Sequence, residues 1–70
     1  MNEDLQDQNA RLRAKIDQLV ESHPELETVV NGVSQKLPAN ASLEQVQANL
    51  QERARAIIEA EPELEGVFED

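Results

Sequence analysis

Leucines stand seven apart at Leu5, Leu12 and Leu19, and Leu26 continues the spacing. Asn9, Ile16 and His23 fall between them, so the seam advances by four and then three residues. That is the stripe of an amphipathic helix and, taken as a heptad, of a short leucine zipper. It predicts a first helix over 3–22, with Asn9 as the polar seam residue that sets register. Pro24 lacks an N–H and disfavours helical geometry at His23, so the first helix should end near Ser22. A second helix over 24–37 follows from the stripe Leu26, Val29, Val30, Val33 and Leu37, with Asn31 and Gly32 on the opposite side. Ser22 and Glu25 have the spacing of a capping box, although the proline fits best with His23 as the cap.

Pro38-Ala39-Asn40-Ala41 reads as a loop. Ser42 followed by Gln45 is a second capping-box pattern. A third helix over 43–60 carries Leu43, Val46, Leu50, Ala54, Ile57 and Ile58 inward. Pro62 opens a last short helix over 62–68, with Leu64, Val67 and Phe68 on one side.

The chain also repeats itself at an offset of 38 residues. His23-Pro24-Glu25-Leu26-Glu27-Thr28-Val29 returns as Glu61-Pro62-Glu63-Leu64-Glu65-Gly66-Val67. Upstream, Leu5, Ala10, Leu12 and Glu21 match Leu43, Ala48, Leu50 and Glu59. The unit is a long helix, a break at proline, and a shorter amphipathic helix. Two copies are too few for a solenoid, so the expectation is one all-α bundle of two long and two short helices, a pseudo-two-fold duplication in a single domain over 1–70.

Composition supports helices and limits the core. The 70 residues contain no Cys and one aromatic residue, Phe68, so Leu, Ile and Val must supply the interior. A chain this short buries a small fraction of its surface and has neither disulfides nor thiolate metal sites to help it. Association with itself or with a larger partner is the remaining common solution. The seam Leu5, Leu12, Ile16, Leu19, Leu43, Leu50 and Ile57 therefore has two candidate uses: the core of a helical hairpin, or a self-association face, with a dimer as the first expectation. No apolar run reaches membrane-spanning length, and the polar, acidic Met1-Asn2-Glu3-Asp4 resembles no signal or transit peptide. These readings predict a cytoplasmic protein with no membrane partner.

Charge adds a direction to this picture. The net charge is −9, divided as −3 over residues 1–36 and −6 over residues 37–70. Such a surface repels nucleic acid and anionic membranes and attracts basic protein surfaces. The acidic residues Glu59, Glu61, Glu63, Glu65, Glu69 and Asp70 contain no base among them. They read as solvated and have two candidate roles: a face that only aids solubility, or an electrostatic docking surface for a basic partner.

Candidate chemistry is sparse. His23 is the single imidazole, flanked by Glu21, Glu25 and Glu27. A metal site would want a second His or Cys, or an oxygen-rich loop, and the residue matching His23 in the repeat is Glu61. The expectation is a helix-boundary residue, no metal ligand and no cofactor. Ser22, Ser34 and Ser42 cannot build a nucleophile–base–orienter set around one histidine. Two glycines make no phosphate loop. Arg11, Arg13, Lys15, Arg53 and Arg55 have no aromatics beside them for base stacking and read as salt-bridged, exposed helix faces.

Two functional expectations result, neither enzymatic. The first is an acidic interaction module that acts as regulator, adaptor or inhibitor of a basic partner. In one version it mimics nucleic acid, with carboxylates in place of phosphates. The second is a structural subunit that assembles through its leucine-rich faces.

Overall fold

A computed structural model describes residues 2–68, with side chains from Asp4 onward. Three α-helices, α1 (Asn2–Ser22), α2 (Leu26–Ser34) and α3 (Leu43–Ala60), are followed by a 3₁₀ helix over Pro62–Phe68. The all-α bundle of two long and two short helices is thus the fold. Glu69 and Asp70 lie outside the described residues.

The long helices end where the prolines require. At the first junction the His23 N–H still donates to Leu19 O (2.7 Å), and then the Leu26 N–H donates to His23 O (2.9 Å). At the second, the Glu61 N–H donates to Ile57 O (2.8 Å) and the Leu64 N–H to Glu61 O (3.0 Å). Every donor and acceptor in the second set is offset by 38 residues from its counterpart in the first. The repeat is therefore written in the hydrogen bonds as well as in the residues.

α2 is shorter than its hydrophobic pattern predicts. Leu26 and Glu27 bond three residues back, as do Lys36 and Leu37 (2.9–3.1 Å), so both ends tighten into turns instead of continuing the α ladder. Pro24 lies within the first of these turns, its carbonyl accepting from the Glu27 N–H, and Pro38 follows the second. The cap position of α2 is Glu25, in helical backbone geometry and without a side-chain cap bond, so the Ser22–Glu25 box does not form. The predicted box at α3 does: the Gln45 N–H donates to Ser42 Oγ (3.2 Å), and the Ser42 N–H to Gln45 Oε1 (2.9 Å).

α1 and α3 run side by side in the same direction. Gln8 pairs with Gln47 (3.1 Å) near one end, and His23 meets Glu61 (3.5 Å) at the other. α2 returns between these ends and packs on α3, which is the central element. Ile16, Leu19, Leu26, Val30, Leu50, Ile57 and Leu64 form the core, with Leu12, Val20, Val46 and Phe68 packed against it. Ile16, Leu26, Leu50 and Ile57 are essentially inaccessible, and burying each side chain contributes about 1.5–3 kcal/mol.

The predicted seam therefore packs inside the single chain: Ile16, Leu19, Leu50 and Ile57 are buried, whereas Leu5, Leu12 and Leu43 are half-buried. Val67 departs from expectation. It is 39% exposed while Phe68, four residues from Leu64, takes the place against the core.

Two asparagines are buried in this interior. Asn9 Nδ2 donates to Leu43 O (3.1 Å), which uses the polar seam residue to register α1 against α3. Asn49, which the apolar pattern does not reveal, donates from Nδ2 to Val33 O (3.0 Å) and accepts from Arg53 Nε (2.7 Å).

Candidate functional site

Because α1 and α3 end at matched positions and run in the same direction, their two proline junctions meet at one end of the bundle. That end collects Glu21, Glu25 and Glu27 from the first junction and Glu59, Glu61, Glu63 and Glu65 from the second. Glu21, Glu25, Glu27, Glu59, Glu63 and Glu65 are all exposed. The basic residues lie elsewhere: Arg11, Arg13 and Lys15 in the middle of α1, Arg53 and Arg55 in the middle of α3, and Lys36 beyond the far end of α2. Some of these bases are engaged. Arg11 pairs with Asp7 (3.1 Å), and Arg53 bonds Asn49. Burial lowers the Arg53 pKa, the Arg13 charge lowers it further, and Asp17 opposes both.

At the centre of the acidic end, His23 Nδ1 lies 3.5 Å from Glu61 Oε1 and 3.8 Å from Glu25 Oε1. The Glu61 side chain is 20% exposed and that of His23 34% exposed, so the group is half-sheltered at the seam between junctions. Glu61 Oε2 is buried without a hydrogen-bond partner. Burial raises the Glu61 pKa above its ordinary value. The charge of His23 counters this, and the nearby carboxylates of Glu25 and Glu63 add to it.

The predicted docking residues thus separate into kinds. Glu59, Glu63 and Glu65 are solvated, as expected. Glu61 is not: it turns inward to His23, and the expectation of a wholly solvated acidic stretch is corrected there. Glu69 and Asp70 lie outside the described residues. The sequence pattern also missed the pairing of His23 with Glu61. The signal that could have found it is the repeat itself, since the residues preceding the two prolines occupy equivalent positions and would meet if the copies packed side by side.

Other candidate chemistry is accounted for locally. Ser42 Oγ serves the α3 cap, and Ser34 Oγ donates to Asn31 O (3.1 Å). An open groove of about 310 Å³ lies between Lys36–Pro38 and the α3 residues Gln45, Ala48, Asn49 and Glu52. Among the described residues, no helix is long and apolar enough to cross a membrane.

Compared with family models, curated proteins and solved structures, the chain matches none.

Proposed function

We propose that this protein is a non-enzymatic interaction module whose acidic end docks on a basic surface of a larger protein, which it regulates, adapts or inhibits. The observation that carries this reading is the convergence of two acidic segments, Glu21–Glu27 and Glu59–Glu65, where the proline junctions meet. Separated in the sequence, they come together at Glu25, Glu61 and Glu63, whose carboxyl groups lie near one another. Clustered like charges raise the local potential and steer an oppositely charged partner, with an effect that salt screens. In the mimic version, exposed carboxylates at this end occupy an Arg/Lys-lined groove that otherwise holds phosphates.

A second reading, a self-assembling subunit, has less support. The leucine seam needed for it is largely consumed within one chain, and Val67 is the most exposed large apolar side chain among the described residues. A homodimer would have to use half-buried residues such as Leu5, Leu43 and Ile58.

The test is capture from an extract of the source cells with immobilised protein, alongside a Glu59→Gln, Glu63→Gln, Glu65→Gln variant. The docking reading expects a basic protein that the wild type retains, that salt releases, and that the variant loses. A mass in solution of two or more chains, together with unchanged capture by the variant, would favour self-assembly instead.

A further inference from the structure

We propose that His23, Glu25 and Glu61 form a binding site for one divalent transition-metal ion of the zinc class, which clasps the two proline junctions together. The site is independent of the docking reading and contrary to the expectation of no metal ligand.

Nδ1 of His23 is 3.5 Å from Glu61 Oε1 and 3.8 Å from Glu25 Oε1, and the three ligand atoms lie within 4.8 Å of one another. Both histidine–carboxylate separations exceed the roughly 3.2 Å limit of a good hydrogen bond. They suit atoms that share an ion instead. Ligands at about 2.0–2.2 Å from a tetrahedral centre stand roughly 3.3–3.6 Å apart. Closing the set around an ion requires a small movement of Glu25, whose side chain is 61% exposed and at the surface.

Glu61 Oε2 is buried without a partner that donates to it, and the Glu63 carboxyl lies within hydrogen-bonding reach of the same side chain, whereas buried polar atoms nearly always have a partner. A carboxylate in that position, beside Glu25 and Glu63, has the His23 charge to balance it only when that imidazole is protonated. A divalent cation would supply positive charge, and with a neutral His23 the two ligating carboxylates would balance its charge.

The donor set selects the ion. One imidazole nitrogen with carboxylate oxygens suits zinc and its first-row neighbours, whereas magnesium and calcium prefer oxygen-only shells. Three protein ligands leave a fourth position for solvent. His23 and Glu25 lie at the first junction and Glu61 at the second, so an ion held by all three links segments 38 residues apart. Its role is to fasten the acidic end, where like charges otherwise push the junctions apart.

The test uses the full chain, stripped with chelator and titrated with Zn²⁺ and separately with Co²⁺. One equivalent should bind, the His23 imidazole resonances should move with coordination at Nδ1, and the melting temperature should rise. Tenfold excess Mg²⁺ should leave the binding in place. Glu25→Gln, a surface change, should weaken binding by roughly tenfold or more, because even loss of an outer-shell partner costs about 10–100-fold. His23→Ala should abolish it, with far-UV circular dichroism confirming that both variants remain helical. No binding at one equivalent, equal binding by folded His23→Ala, or displacement by Mg²⁺ would overturn the proposal, the last two by showing a diffuse acidic atmosphere instead of a site.

Discussion

His23 and Glu61 stand immediately before the two matched prolines, and the fold brings Nδ1 of one within 3.5 Å of Oε1 of the other. Equivalent positions of the repeat thus meet, but with different chemistry: an imidazole in one copy and a carboxylate in the other. At this contact the proline junctions lie side by side, with the glutamates that flank them at the same end.

A pH dependence follows for the metal-free protein. Burial is the main cause that raises the Glu61 pKa above 4.5; Glu25 and Glu63 add to it and His23 opposes it. A carboxyl whose folded pKa exceeds its unfolded value favours the folded state at low pH. That contribution is complete below the unfolded value and is lost as pH rises through the folded one. Glu61→Gln, uncharged throughout, removes the loss. Denaturation midpoints in chelator should therefore shift in favour of the variant as pH rises above 4.5. A constant difference, or a shift in favour of wild type, would show that Glu61 is not held above its ordinary range.

Gly32 is exposed on α2, and a Cβ added there meets nothing within 4 Å. Gly32→Ala should stabilise the protein by about 0.5–1 kcal/mol, because alanine is the better helix former and the site imposes no clash. Urea denaturation measures this directly. Destabilisation would mean that α2 is not helical at Gly32.

Ile57 is fully buried in the last turn of α3. Truncating it to alanine should cost about 2–5 kcal/mol through lost transfer energy and a residual cavity. A domain of 70 residues has roughly 4–10 kcal/mol in total, so Ile57→Ala should leave much of the chain unfolded by circular dichroism. Leu5→Ala, at a half-buried position near the start of α1, should cost clearly less. Equal costs would place Leu5 in a second interface, such as a dimer.

Asn49 and Asn9 make a paired comparison. Asn49→Ala removes one of the two donors to Val33 O, which keeps the Lys36 N–H, and the acceptor of Arg53 Nε, whereas Asn9→Ala removes one bond to Leu43 O and also an oxygen that is buried without a partner. An unsatisfied buried group costs about 1–3 kcal/mol. Asn49→Ala should therefore be the more destabilising of the two in equilibrium denaturation. The reverse order would make Asn9 the principal registering residue.

Helical periodicity, proline placement and the Ser42–Gln45 box predicted the long helices closely, because these are local signals. The leucine seam also predicted the core, but not whether one chain or two would close it. Ile16, Leu19, Leu50 and Ile57 pack within one chain because α1 and α3 lie parallel, with α2 crossing back between their ends. That arrangement depends on contacts across 30 or more residues and left no local trace. The same is true of the site. Glu61 reads locally as one more glutamate in an acidic stretch; only the parallel packing turns it toward His23. Asn49 was hidden for a related reason, since its partner Val33 O belongs to another element.

The central claim is that the acidic end is a docking surface, and the affinity of the captured basic protein tests it most directly. Its dissociation constant should be measured at low and high salt for the wild type and for the Glu59→Gln, Glu63→Gln, Glu65→Gln variant. The claim predicts strong weakening of wild-type binding by salt, a large loss in the folded variant already at low salt, and little remaining salt dependence in that variant. Equal affinity of the two proteins at both salt concentrations would contradict it.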